Sequence, residues 1–184
     1  MKTYSKLFIA TLMTVVTVSI PFAGVVFATP PEMPKTQEDR DKIFAQAISF
    51  KELVVNDKRT KHMMIYNPKD RAPYTGWAMT PSKNYPRGVK SIGWVEKGKI
   101  TGPSLRWSTL STKPEDRVRK ERFYKNNRKH GLETHWYMIS GAKEREEHYK
   151  DGKLDGLWTY WDKNGKKRAE ILYKDGQEVS RKEF

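Results

Sequence analysis

Residues 148–176 constrain this chain more than any other stretch. Two runs rich in aromatic and β-branched residues, 157–161 and 169–173, are separated by Asn164-Gly165 and bounded on both sides by Lys-Asp-Gly. Asn-Gly and Asp-Gly are the strongest short-range hairpin signals, because tight hairpin turns need positive φ, which glycine and asparagine tolerate. The stretch is therefore read as a β-meander unit. Its end, Tyr173-Lys174-Asp175-Gly176, repeats its beginning, Tyr149-Lys150-Asp151-Gly152. The unit is one turn of a longer pattern, and the chain is read as a repeat protein.

The glycine that opens each Trp-bearing strand sets the register: Gly76, Gly102, Gly131 and Gly156, spaced 26, 29 and 25 residues apart. Five residues after the last three stand Trp107, Trp136 and Trp161; seven before them stand Val95, Tyr124 and Tyr149. The position after the glycine is Trp77, Pro103, Leu132 or Leu157. The first unit has Pro81 where the others have tryptophan, so it reads as an atypical end repeat.

The pattern running from Tyr149-Lys150-Asp151-Gly152 through Asp155-Gly156, Trp158, Trp161 and Asn164-Gly165 to the next Tyr173-Lys174-Asp175-Gly176 resembles the variant MORN repeat of bacterial YwqK-type antitoxins. The resemblance covers roughly residues 53–179, is sharp at 149–176, good at 124–141, and weak before Gly102. Ser140-Gly141 replaces Asn-Gly in the middle repeat, and the preceding unit carries a longer insertion at 111–116. The resemblance implies an antiparallel hairpin meander in a single-layer sheet and an antitoxin-type role, holding a partner protein by surface contact.

The chain has no cysteine among its 184 residues, which removes disulfides and thiolate chemistry. Its first 28 residues read as an export signal: Lys2 and Lys6, an apolar run over 7–20, a break at Pro21, and compact residues at Val26-Phe27-Ala28. The alternative is an uncleaved anchor, since 7–28 is long enough to span a bilayer; the Pro21 break and the Ala28 site favour cleavage. Either form places the body outside the cytoplasm, in the periplasm or at the cell surface. Removing 1–28 takes two lysines and no acids, lowering the net charge from +14 to +12. For an exported chain so basic, anionic lipid, acidic wall polymer or an acidic protein are more accessible partners than nucleic acid. The plainer account is that lysine and arginine, spread through the repeats, keep a one-layer sheet soluble and its edges unpaired.

Residues 29–35, with Pro30, Pro31 and Pro34, form a stiff linker. Thr36 then fits an N-cap with Asp39 in the capping-box position, so a short helix is expected within 36–50, ending near Ser49. Ile43, Phe44, Ala47 and Ile48 make one stripe, expected to cap the open end of the sheet, or else to dock another protein. From 51 to 184 the chain reads as strands: a first hairpin from 53–55 and 63–66 around Asn56-Asp57-Lys58, irregular stretches at 67–73 and 81–88, and a turn at Glu96-Lys97-Gly98. No domain boundary follows Thr36, and about five hairpins result.

A single sheet has little interior, so its stability must come from side chains stacking between hairpins. At about 25 cal/mol per Å², an aromatic burying about 150–250 Å² contributes on the order of 4 kcal/mol. Trp107, Trp136 and Trp161 in register predict a continuous spine, with Trp136 in the middle the most costly to lose. The alternative is a sugar- or peptide-stacking surface. The histidines are His62, His130, His135 and His148. A metal site from His135 and His148 with Glu133 or Glu146 is conceivable, yet no metal-ligand spacing exists, and the next repeat has Tyr160 and Leu172 there. No nucleophile or phosphate-loop motif occurs, and the turn acids Asp151 and Asp155 are thinned by lysine. The expectation is a non-enzymatic exported scaffold without metal or cofactor that binds a protein partner; the alternative is a basic envelope module for anionic lipid or wall polymer.

Overall fold

The computed structural model describes residues 30–56, 63–84, 88–107 and 118–184; the expected export signal, Asp57 and Lys58 of the first turn, His62, Pro86 and the 111–116 insertion lie outside them. Helix α1 (Gln37–Gln46) opens the described chain. The Thr36 hydroxyl accepts from the Asp39 N–H and the Asp39 carboxylate accepts from the Thr36 N–H, closing the capping box. Thr36→Ala is expected to cost about 1 kcal/mol in denaturant unfolding. The helix stops at Gln46, short of Ser49, because Ala47 takes extended dihedrals and Ile48–Ser49 (β1) enters the sheet.

Thirteen further strands follow: β2 (Val54–Val55), β3 (Ile65–Tyr66), β4 (Gly76–Pro81), β5 (Val89–Glu96), β6 (Lys99–Trp107), β7 (Val118–Lys125), β8 (Arg128–Lys129), β9 (Gly131–Trp136), β10 (Lys143–Lys150), β11 (Lys153–Leu154), β12 (Gly156–Trp161), β13 (Lys167–Lys174) and β14 (Gln177–Glu183). All but β2 and β3 belong to one mostly antiparallel sheet, ordered β1-β4-β5-β6-β7-β9-β10-β12-β13-β14, with β8 and β11 extending the hairpins at β7 and β10. β2 and β3 pair with each other apart from it.

The repeat is visible in the ladder. Each anchor glycine lies opposite the residue of the Val/Tyr column: Gly76 opposite Val95, Gly102 opposite Tyr124, Gly131 opposite Tyr149 and Gly156 opposite Tyr173. Five residues on, the register slips by one at Pro81, Trp107, Trp136 and Trp161, so a β-bulge recurs at that position in every repeat. Pro81 is thus in place rather than anomalous, since a bulge tolerates a missing donor.

Two-residue turns with positive φ at both positions recur at Lys97-Gly98, Asn126-Asn127, Asp151-Gly152 and Asp175-Gly176. Asn164-Gly165 is different: only Gly165 has positive φ, and the loop is closed by the Asp162 carboxylate accepting from the Asn164 and Lys166 N–H groups. Gly98 is the most constrained of these glycines. A Cβ there would come within 2.8 Å of Met64 Cε and 2.9 Å of the Ile65 carbonyl, at φ +78°. Gly98→Ala is expected to cost about 1–3 kcal/mol, measured by urea unfolding, and more than Gly165→Ala, where nothing lies within 4 Å.

Each turn is also latched to the strand of the preceding hairpin. Thr75, Thr101, His130 and Asp155, each just before an anchor glycine, accept side-chain bonds from the N–H groups of Lys97, Asn126, Asp151 and Asp175. In parallel, the carbonyls of Tyr74, Ile100, Lys129 and Leu154 accept from Gly98, Asn127, Gly152 and Gly176.

The apolar core lies in the N-terminal half. On one face, called front here, Trp77, Val89, Ile92, Trp94, Leu105 and Trp107 pack under α1, with Met33, Ile43, Phe44 and Ala47 above them. On the back face, Tyr74, Ala78 and Val95 pack with Ile65 of β3 and with Leu53, just before β2. The stripe on α1 thus covers a face; the edge of β4 is taken by β1, through Ile48 opposite Ala78 and Ser49 opposite Met79.

Candidate functional site

Beyond β6 the cover from α1 reaches, among the described residues, only Val118 and Glu121 of β7, and the two faces diverge. Alternation along β7, β9 and β10, with Lys120 opposite His135 and Glu133 opposite Glu147, puts Lys120, Arg122, Tyr124, Glu133, His135, Arg145, Glu147 and Tyr149 on the back face. Glu133 and His135 are each 2% exposed although no second layer lies above them. Their cover is made by long cationic side chains and tyrosines.

Glu133 is the hub. Its Oε1 accepts from Arg122 Nε at 2.9 Å and lies 2.7 Å from His135 Nε2; its Oε2 is 2.6 Å from Lys129 Nζ. Glu147 accepts from Arg145 Nε at 2.6 Å and from the Tyr149 hydroxyl at 2.8 Å. Burial alone would raise the Glu133 carboxyl, but the hydrogen bonds from His135 and Lys129 and the Arg122 charge more than offset it and hold the group well below the usual carboxylate range. Burial and the neighbouring Arg122 guanidinium hold Lys120 below the ordinary lysine range, against the pull of Glu133.

Glu133, His135 and Glu147 are the one group among the described residues with the donor set of a metal site, their ligand atoms within 4.8 Å of one another. Those carboxylates already face cations. Lys120, Arg122, Lys129 and Arg145 surround the two carboxylates, so a divalent ion would enter against four cations and break the Glu133–His135 contact. The cluster is an ion-pair core that does the work apolar residues do under α1. The pairing of His135 with His148 fails on register: His135 lies opposite Arg145 on the back face, whereas His148 lies opposite Leu132 on the front, exposed, with Nδ1 2.8 Å from the Leu157 carbonyl. Glu146 is likewise on the front.

The front face of the same strands is open. Phe123, Leu132, His148, Leu157 and Leu172 form one row across β7, β9, β10, β12 and β13; Phe123, Leu157 and Leu172 are 36%, 42% and 42% exposed. A second row alternates aromatic and cation. Trp136 lies opposite Lys143 and Trp161 opposite Lys167; Lys143 Nζ stands 5.2 Å over the Trp161 ring and Lys167 Nζ 5.5 Å over Phe184. Between the rows run Glu121, Thr134, Glu146, Thr159 and Glu170, with Glu146 paired to Lys143 and Glu170 to Lys167.

The expected tryptophan spine is therefore replaced by two arrangements. Trp107 is buried and meets Phe44 at 5.4 Å, whereas Trp136 and Trp161 are half-buried and separated by Lys143. In the tyrosine column, Tyr124 and Tyr149 join the back-face ion cluster and Tyr173 stacks on Trp158 at 5.3 Å. Asp151-Gly152 and Asp175-Gly176 are turns, and Asp155 is tied to Lys174 and the Asp175 N–H, which accounts for its depressed carboxyl without calcium. No helix among the described residues is long and apolar enough to cross a membrane. The latch column Thr75, Thr101, His130 and Asp155 escapes sequence reading because its residue types differ; the signal was that each is an acceptor preceding an anchor glycine. A scan against protein-family models found no match for this chain, and a search of curated proteins found none either.

Proposed function

We propose that this protein is a non-enzymatic repeat scaffold that holds a partner protein on the open front face of strands β7 to β14, acting outside the cytoplasm. One observation carries the reading: Phe123, Leu157 and Leu172, in one row with the half-buried Leu132, stay exposed on a face that α1 buries one hairpin earlier. Contiguous exposed apolar rows rimmed by charge mark interaction sites. The resemblance of residues 149–176 to variant MORN repeats supports an antitoxin-type role of the same kind, and the apolar run at 7–20 supports export. On the back face the Glu133 and Glu147 carboxylates face Arg122, Lys129, Arg145, His135 and Tyr149.

Lys143, Lys167 and Lys182, standing over Trp161 and Phe184, favour a second reading, attachment to anionic lipid or wall polymer. A salt-titrated pull-down from an envelope extract separates the two. A discrete protein retained at high salt is the expected result; retention of lipid or wall material alone, lost as salt screens the lysines, would overturn the scaffold reading.

A further inference from the structure

The chain carries its own example of what its front face accepts. Under α1, Phe44 meets Trp107 at 5.4 Å, and Arg40, one helical turn earlier, supplies the charge facing Glu121 on β7. Trp107 recurs as Trp136 and Trp161 at the same bulge. Glu121 recurs in the same row as Glu146 and Glu170. The α1 contact therefore continues, along one face and at the repeat spacing, onto two further stations of the same geometry.

We infer that these stations bind an amphipathic α-helix of the partner protein, laid on the front face beyond α1 with an aromatic residue seated against Trp136 or Trp161 as Phe44 is against Trp107. This rests on the scaffold reading and names the form of its partner. A helix suits the face for a geometric reason: an apolar row and a row of alternating tryptophan and lysine flank a polar one, so a cylinder about 10 Å across lays its apolar stripe on one row and its polar flank along the glutamates and lysines. The stations differ from the α1 site at one position. Val118, opposite Trp107, becomes Lys143 and Lys167 opposite Trp136 and Trp161. The incoming helix accordingly carries acidic residues beside its aromatic, as α1 itself carries Glu38, Asp39 and Asp41.

The test uses the full-length protein and a helix-stapled peptide of residues 36–50, spin-labelled at the position of Gln37. Expected is saturable broadening of the Leu157 and Leu172 methyl and Trp136 and Trp161 indole signals, with back-face Ile171 spared. Phe44→Ala in the peptide, or Leu157→Glu with Leu172→Glu in the protein, should weaken binding at least tenfold; both leucines are exposed, so the fold tolerates the change. No broadening up to millimolar peptide, broadening confined to the Trp107 region, or broadening centred on Ile171 would overturn the inference. So would front-face signals that respond to anionic vesicles and not to peptide. A partner retained in the pull-down by the doubly substituted protein as well as by the parent would leave the scaffold reading standing while removing this one.

Discussion

Glu133→Ala is expected to destabilise the protein by about 3 kcal/mol at pH 7, the lower end of the range for breaking a buried ion pair. Removing the hub leaves Arg122, Lys129 and Lys120 facing one another around a void, with His135 stripped of its partner at 2.7 Å. The cost stays at the lower end because those cations are a fifth to a third exposed and can turn toward water. Glu133→Gln retains the shape and some hydrogen bonds and should cost less. Urea unfolding of the three proteins, compared at equal slope, checks this ordering; an unchanged midpoint for the alanine variant would show that the cluster is dispensable.

The same group gives a pH dependence whose sign is determined. The folded-state carboxyl of Glu133 lies below its unfolded value, so its contribution is present above the ordinary glutamate pKa and fades as pH falls below it toward the folded value. The parent should lose stability on acidification below about pH 4.3, more steeply than Glu133→Gln, which has no carboxyl to protonate there.

Trp107→Ala is expected to cost about 3–5 kcal/mol, the usual range for emptying a buried aromatic site, and to loosen α1 as well. Trp136→Ala is expected to cost about 1–2 kcal/mol, because its ring is only partly buried and has no second layer over it. The contrast reverses what a continuous spine would give, where the middle tryptophan matters most. Its physical cause is the cover above each ring: Trp107 has Phe44 and Val118, whereas Trp136 faces Lys143. Thermal unfolding followed by the helix signal and by tryptophan fluorescence would report both the loss and the release of α1. Equal losses for the two variants would refute the division of the sheet into a covered and an open half.

What was legible in the residues follows from local chemistry. Lys97-Gly98, Asp151-Gly152 and Asp175-Gly176 turn where the chain says they should, because positive φ is a property of two adjacent residues. Thr36 and Asp39 close a capping box for the same reason. Asn164-Gly165 also joins two antiparallel strands, although only Gly165 takes positive φ and the Asp162 carboxylate, two residues upstream, helps to close the loop. The α1 stripe was readable, but not its destination; a helix that lies on a face and a helix that caps an edge carry the same stripe.

The amino-acid sequence alone determined the repeat period, the turns between hairpins, the strand order from β4 onward and the predominance of β structure, because each rests on contacts within a few residues or on a pattern repeated at fixed spacing. The tertiary structure decided which face each side chain occupies. His135 and His148 part to opposite faces, Glu133 gathers four cationic or imidazole groups from three strands, and Trp136 and Trp161 stay open where Trp107 is covered. The reason is that side chains alternate with period two, so a register slip of one residue at each bulge exchanges the faces, and that slip belongs to the pairing of two strands rather than to either one.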